Sequence, residues 1–179
     1  MRVNTMLVIA MLAISIGSVG LSSAHPQESQ NFKTKHTGVD FPVGYADLEA
    51  GGYSVRIVYP AMQNGEDQAM AGNGPFPYTV FFADEGENND DYGIISGEIV
   101  KRGTIVVITN DFDSDETENV IQSFKLLESI VELMNETNST NNLIPSSFGN
   151  IDLDHWGVSG HGLGAAVAYS VFPFWPESE

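Results

Sequence analysis

The sequence contains no cysteine among its 179 residues. No disulfide can therefore stiffen the fold, and no thiol is available as a nucleophile or as a ligand for a soft metal. Basic residues are also scarce: seven Lys and Arg face 24 Asp and Glu, which gives a formal net charge of −17 at pH 7. So acidic a surface repels nucleic acid and anionic membranes, and we expect neither as a partner. Solubility in salty water is the simplest use for this charge, because salt screens the self-repulsion.

Long hydrophobic runs are confined to the first 24 residues. Arg2 precedes an apolar stretch from Met6 to Leu21, which ends in the small residues Ser22-Ser23-Ala24. This pattern predicts a signal peptide at 1–24, and therefore a secreted protein without a membrane segment after cleavage. The alternative is a retained N-terminal anchor. However, two serines and two glycines interrupt the run, and a membrane span takes about 20 predominantly apolar residues.

The remainder of the chain reads as one domain. Residues 25–38 are polar and aperiodic, so we interpret them as a mature N-terminal arm. Residues 39–179 have no internal repeat, and the hydrophobic fraction of the whole chain, 42%, is sufficient for a packed core.

Within this domain, strand and helix patterns alternate. Runs of β-branched and aromatic residues predict strands at 53–59, 78–83, 104–109 and 153–159, with loops at 61–77 and 135–150. Helical spacing predicts helices at 94–100, from 117 to 134 and at 165–171. Their apolar residues are Ile94, Ile95, Ile99 and Val100 in the first, and Val120, Ile121, Phe124, Leu127, Ile130, Val131 and Met134 in the second. Such alternation predicts an α/β fold with a mostly parallel sheet and helices on both faces.

A glycine-rich turn follows the last predicted strand directly. Gly160-His161-Gly162-Leu163-Gly164 lies between that strand and a helix, which is the setting of a nucleophile elbow, G-x-S-x-G. The flanking glycines suit a sharp turn that leaves no room for Cβ atoms. The central position, however, is Gly162 rather than a serine.

The segment "IDLDHWGVSGHGLGAAVAYS" resembles the "GHSxGG" elbow region of α/β-hydrolases, especially the dienelactone-hydrolase, platelet-activating-factor-acetylhydrolase and polyester-hydrolase branch. The segments "VRIVYPA", "GPFPYTVFFADEG" and "IVKRGTIVVITND" are similar to that branch's strand ending in Tyr-Pro, its oxyanion strand and its next strand, in the same order. The resemblance covers about residues 39–172. It implies a partial α/β-hydrolase fold without the C-terminal strands, and a relationship to enzymes that act on esters, lipids or polyesters by acyl transfer.

The resemblance also assigns the site. Gly162 lies where the family's serine would attack an ester carbonyl, and His161 occupies the preceding position, where it packs or hydrogen-bonds near the site. The backbone N–H of Leu163 is one oxyanion donor, and the second comes from the loop after Phe82, near Asp84 or Glu85. The family usually has His-Gly in that loop, whereas this chain has Ala83-Asp84. A carboxylate there would oppose the charge of the transition state.

The family places its acid and its histidine beyond the elbow, and 15 residues follow Gly164 here. We therefore expect the chain to be catalytically inactive as it stands, as a truncated product or a fragment of a serine ester hydrolase. The alternative is a non-catalytic binding protein that holds a small ester or lipid-like ligand in the cleft above the elbow. We expect no cofactor and no metal, and the sequence does not indicate an oligomeric state.

Other patterns have two interpretations each. Ser159 would be the nucleophile if the elbow were shifted to 157–161, but histidine would then replace the second glycine. Asp111, Asp113 and Asp115 alternate as in a calcium loop, but Glu116 and Gln122 stand where an EF-hand needs glycine and glutamate, so a solvated acidic loop is the simpler interpretation. Two N-glycosylation sequons begin at Asn135 and Asn138, in a stretch interpreted as an exported surface loop, and predict a glycoprotein. His155 is placed at a strand entrance.

Overall fold

A computed structural model of the chain describes residues 40–112 and 119–171, with the backbone only for residues 119 and 120. The predicted signal peptide, the predicted arm and three acidic residues of the possible calcium loop (Asp113, Asp115 and Glu116) lie outside the described residues. Within the described segments, no helix combines the length and hydrophobicity that a membrane crossing requires.

The described residues contain one sheet of six strands. They are β1 (Val43–Ala50), β2 (Tyr53–Pro60), β3 (Gly65–Glu66), β4 (Phe76–Phe82), β5 (Ile105–Thr109) and β6 (Ile151–Gly160), in the order β3-β1-β2-β5-β4-β6. Three strand pairs are parallel, namely β1/β3, β4/β5 and β4/β6, whereas β1/β2 and β2/β5 are antiparallel. All four predicted strands are confirmed, and the sheet is mostly parallel. β1 and the short β3 were not predicted.

β1 and β2 form a hairpin around Gly51-Gly52. Both glycines have positive φ, +59° and +90°, which explains why glycine occupies this tight turn. Sequence reasoning missed β1 because the side chains that it buries, such as Ala46 and Ala50, are too small to form a clear apolar alternation.

Three α-helices accompany the sheet: α1 (Gly93–Val100), α2 (Asn119–Ser139) and α3 (Leu163–Val171), and a 3-10 helix at Asn89–Tyr92 precedes α1. The predicted stop after α1 is confirmed, since Gly103 has a φ of +89°. The predicted loop at 135–150 is wrong in its first five residues, because α2 continues to Ser139. The buried Ser147 hydroxyl holds this polar end of the helix by donating to the carbonyl oxygen of Thr137 at 2.7 Å.

The helices cover both faces of the sheet, as predicted. Val80, Phe82 and Val107 point to the face covered by α2 and α3, where the larger hydrophobic core lies. The alternate residues, such as Phe81 and Val106, point to the other face and pack with Val100 of α1. This period of two along each strand separates the two cores.

Helical spacing identified the helices but not always their buried sides. Ile94 and Ile95 are 87% and 50% exposed, whereas Ser96, Gly97 and Val100 of the same helix are buried. In α2, Ile121 is exposed, and the buried set is Leu126, Leu127, Ile130, Leu133 and Met134; the side chain of Val120 lies outside the described residues. Which side of a helix is buried depends on where the sheet lies, which the helix's own sequence does not specify.

Candidate functional site

The carboxyl ends of three strands meet at one edge of the sheet. Phe82, the last residue of β4, is paired with Thr109 at the end of β5 and with Gly160 at the end of β6. The loops that follow these strands are therefore neighbours, at the edge where open α/β sheets bind their ligands.

The turn from β6 into α3 has the geometry of a nucleophile elbow. Only His161 and Gly162 separate the strand from the helix, and Gly162 has a φ of +54°. A Cβ on Gly160 would lie 2.7 Å from the backbone nitrogen of Ala165, and one on Gly164 would lie 2.5 Å from the carbonyl carbon of Phe82. Both flanking glycines are thus required by close backbone approach, as the sequence predicted.

The turn is also hydrogen-bonded to the neighbouring strand. The backbone N–H of His161 donates to the carbonyl oxygen of Phe82 at 3.0 Å. This bond fixes the elbow beside the loop that follows β4, which carries Asp84 and Glu85. Residues 79 positions apart in the chain therefore lie in one site.

Asp84 occupies the centre of this site. Its Oδ1 accepts the backbone N–H of Leu163 at 2.8 Å and the backbone N–H of Glu85 at 2.9 Å. These are the two N–H groups that the sequence proposed as oxyanion donors, and they converge on one carboxylate oxygen. A Cβ on Gly162 would overlap all three atoms of the Asp84 carboxylate. The carboxylate therefore fills the space in which a nucleophile side chain would start.

These contacts favour the ionised form of Asp84. The hydrogen bond from Leu163 and then the one from Glu85 lower the pKa of the Asp84 carboxyl below its ordinary value, while burial opposes the shift and the charge of His161 adds a smaller lowering. The N-terminus of α3, where Leu163 lies, also favours negative charge through the helix dipole. The site consequently holds a carboxylate anion at neutral pH.

Tyr92 connects the two sides of the site, and sequence reasoning missed it. Its hydroxyl oxygen accepts the backbone N–H of Asp84 at 2.8 Å and lies 3.2 Å from Nδ1 of His161. The direction of the bond between the Tyr92 hydroxyl and Nδ1 of His161 depends on the His161 tautomer. Tyr92 also packs on Phe81, with the ring centroids 4.9 Å apart. Nothing in the sequence distinguishes this tyrosine from an ordinary core residue.

Ser159 does not lie at the turn. It belongs to β6, opposite Phe81 of β4, and its hydroxyl lies 3.2 Å from the hydroxyl of Thr79. The shifted elbow register therefore has no structural support.

His155 lies in the first half of β6. Its side chain is 77% exposed, and its Nδ1 lies 2.9 Å from Oδ2 of Asp152. Among the residues that the structure describes, no group of three or more His, Cys, Asp or Glu could hold a metal ion.

Comparisons with known proteins agree with this fold. No protein-family model matches the chain, and neither does any curated protein. Among solved structures, the chain is similar to a ferulic acid esterase from Streptomyces cinnamoneus, with a TM-score of 0.56 and 13% sequence identity. The match covers 75% of this chain and 56% of the esterase chain, so this chain spans little more than half the length of that structure. The similarity shows a hydrolase-like α/β fold.

Proposed function

We propose that this chain is an exported relative of carboxylic ester hydrolases that does not itself hydrolyse esters. The esterase-like fold and the elbow geometry support the relationship. Export rests on the signal-peptide pattern of residues 1–24. The finer relationship, to the dienelactone-hydrolase, platelet-activating-factor-acetylhydrolase and polyester-hydrolase branch, rests on the segments around β2, β4, β5 and the elbow.

One observation carries the proposed inactivity. The Asp84 carboxylate lies where an attacking side chain at position 162 would begin, and it accepts both N–H groups that would stabilise a tetrahedral intermediate. Acyl transfer needs those donors free for a carbonyl oxygen that gains negative charge. Here they already bind an anion, which would repel a second one.

The histidines of the described segments do not supply a catalytic base either. His161 adjoins the site, but its Nδ1 faces the Tyr92 hydroxyl and no serine follows it. His155 is paired with Asp152 early in β6, so this acid–histidine pair is not at the elbow. Within the described residues, the elbow therefore does not bring together the serine and base that act in concert in serine hydrolases.

A p-nitrophenyl acetate and butyrate assay on the purified protein tests the proposal. We expect no turnover above the buffer background, and none from Gly162→Ser, because no histidine of the described residues is placed to act as its base. Ser159→Ala is the matched control for the shifted elbow, and we expect it to equal the wild type. Clear wild-type turnover that disappears in Ser159→Ala would overturn both the proposed inactivity and the assignment of the elbow.

The alternative, a non-catalytic protein that binds a small ester or lipid-like ligand, uses the same edge of the sheet. The exposed Ile94 and Ile95, which follow Tyr92 in the chain, offer an apolar surface for such a ligand. A polar ligand group could bind the two N–H donors only in place of Asp84.

A further inference from the structure

The sequence contains two Asn-Gly pairs, Asn64-Gly65 and Asn73-Gly74, and both lie between β2 and β4. Glycine has no Cβ to shield its backbone nitrogen and adopts conformations closed to other residues. That nitrogen can therefore reach the side-chain Cγ of the asparagine before it. An Asn-Gly pair is for this reason the dipeptide in which an asparagine side chain most readily cyclises and loses ammonia.

The fold holds Asn64 at two points. Its Oδ1 accepts the backbone N–H of Val43 at 2.7 Å, and the following Gly65 is paired with Gly44 of β1. The amide of Asn64 has to rotate before its Cγ approaches the Gly65 nitrogen, and this rotation breaks the bond to Val43. The structure thus opposes the reaction at the first Asn-Gly pair.

Asn73 has no such restraint. It is exposed in the turn that leads to β4, and its side chain makes no hydrogen bond or ion pair with any other described residue. The glycine that follows fits closely against the neighbouring chain, because a Cβ on Gly74 would lie 2.6 Å from the carbonyl oxygen of Asn150. That same oxygen accepts the backbone N–H of Phe76 at 2.9 Å. The side chain at position 73 is therefore free to react, but the backbone beside it has little room for an additional atom.

We propose that Asn73 is the Asn-Gly site at which the folded protein deamidates first, and that its isoaspartate product weakens the fit of residue 74 against Asn150. The Gly74 nitrogen attacks Cγ of Asn73, and the side-chain nitrogen leaves as ammonia together with the Gly74 amide proton. Water then opens the five-membered imide at one of its two carbonyl carbons, which gives aspartate or isoaspartate. Either product adds a negative charge, and isoaspartate also lengthens the backbone by one carbon. The site is separate from the elbow and does not depend on the proposed function.

Peptide mapping by mass spectrometry measures both rates within one molecule, after the purified protein is aged in mildly alkaline, heavy-oxygen water. In the folded protein, Asn73 should react at least about fivefold faster than Asn64, the factor that corresponds to one hydrogen bond of ordinary net strength. In concentrated urea the two rates should become similar, because only the fold distinguishes the two pairs. A folded-state rate at Asn64 equal to or above that at Asn73 overturns the proposal. So does an unlabelled Asn73 after a time in which both sites react in urea.

Urea unfolding tests the effect on stability, and Asn73→Asp is the matched control. This variant carries the new charge without the longer backbone, and freshly purified it should unfold at the urea concentration of the wild type. Aged protein with isoaspartate at position 73, separated by ion exchange, should unfold at a lower concentration. Asn73→Gln should form no isoaspartate there, because its longer side chain does not close the five-membered ring. Isoaspartate at position 73 with the stability of Asn73→Asp would overturn the inferred effect on the contact with Asn150.

Discussion

The close contact between α3 and the end of β4 yields a quantitative prediction for Gly164→Ala. The alanine Cβ would lie 2.5 Å from the carbonyl carbon of Phe82, whereas non-bonded carbons rest at about 3.5–4.0 Å. The helix and strand must therefore separate by about 1 Å. The obstacle is backbone, which has no rotamer that moves it away.

The expected cost follows from two opposing effects. Overpacking of a rigid site costs about 3 kcal/mol, at the upper end of the usual range. Replacing glycine by alanine within a helix offsets about 1 kcal/mol of this cost, because alanine lowers the backbone entropy of the unfolded state. We therefore expect Gly164→Ala to lower the free energy of unfolding by about 2 kcal/mol, with a Tm about 4–8 °C lower.

Urea unfolding followed by tryptophan fluorescence measures this difference, since Trp156 stacks on Tyr78 within the fold at 5.6 Å between ring centroids. The matched control is Gly97→Ala in α1, where a Cβ would meet no atom within 4 Å. At this position only the higher helix propensity of alanine acts, and the free energy of unfolding should rise by about 0.5–1 kcal/mol. If Gly164→Ala were as stable as the wild type while Gly97→Ala behaved as expected, the close approach at the elbow would be refuted.

Two further predictions concern charge and modification. Hydrogen bonds from Arg56 hold the pKa of Asp47 below its ordinary value of 3.8, although burial opposes this. The contribution of this ion pair to the free energy of unfolding is therefore fully present above pH 3.8 and is lost as the pH falls through the lowered pKa. Asp47→Asn should cost at most about 1 kcal/mol at pH 7 and progressively less as the pH falls below 3.8, in urea unfolding across that range. A cost independent of pH would contradict this. Asn138 Oδ1 accepts the backbone N–H of Ile151 at 2.9 Å, whereas the more exposed Asn135 is held only within α2, where Nδ2 donates to the carbonyl oxygen of Val131 at 2.8 Å. Mass spectrometry of protein from a glycosylating host should therefore find more glycan on Asn135 than on Asn138. A glycan mainly on Asn138 would refute the reasoning.

Strand positions were predictable where the sequence carries large residues. β4 and β5 are short runs of apolar, largely aromatic or β-branched residues, and their burial on both faces follows directly from that pattern. β1 escaped prediction because Ala46 and Ala50 give a weak signal, and β3 is too short to carry one. The end of α2 was missed for a different reason: a polar sequence is held in a helix by Ser147, a residue outside the helix.

The sequence predicted where in the chain the candidate site lies, but not which residues contact each other there. The elbow glycines marked the turn, and the resemblance implied amide donors at Leu163 and near Asp84 or Glu85, which stay a prediction. The sequence also marked Asp84 as unfavourable to acyl transfer. It could not show that the carboxylate accepts both amides, because that depends on a contact between residues 79 positions apart. Nor could it indicate Tyr92, whose role depends on that same contact.

Gly162 and Asp84 are structurally linked. A Cβ at position 162 would overlap the Asp84 carboxylate in its observed rotamer, so the glycine permits that rotamer. Without Asp84, the Leu163 and Glu85 amides would exchange a carboxylate acceptor for water, because the bond to Glu85 is exposed. The carboxylate comes from the loop after β4, and by accepting the Leu163 amide at 2.8 Å it joins that loop to the start of α3.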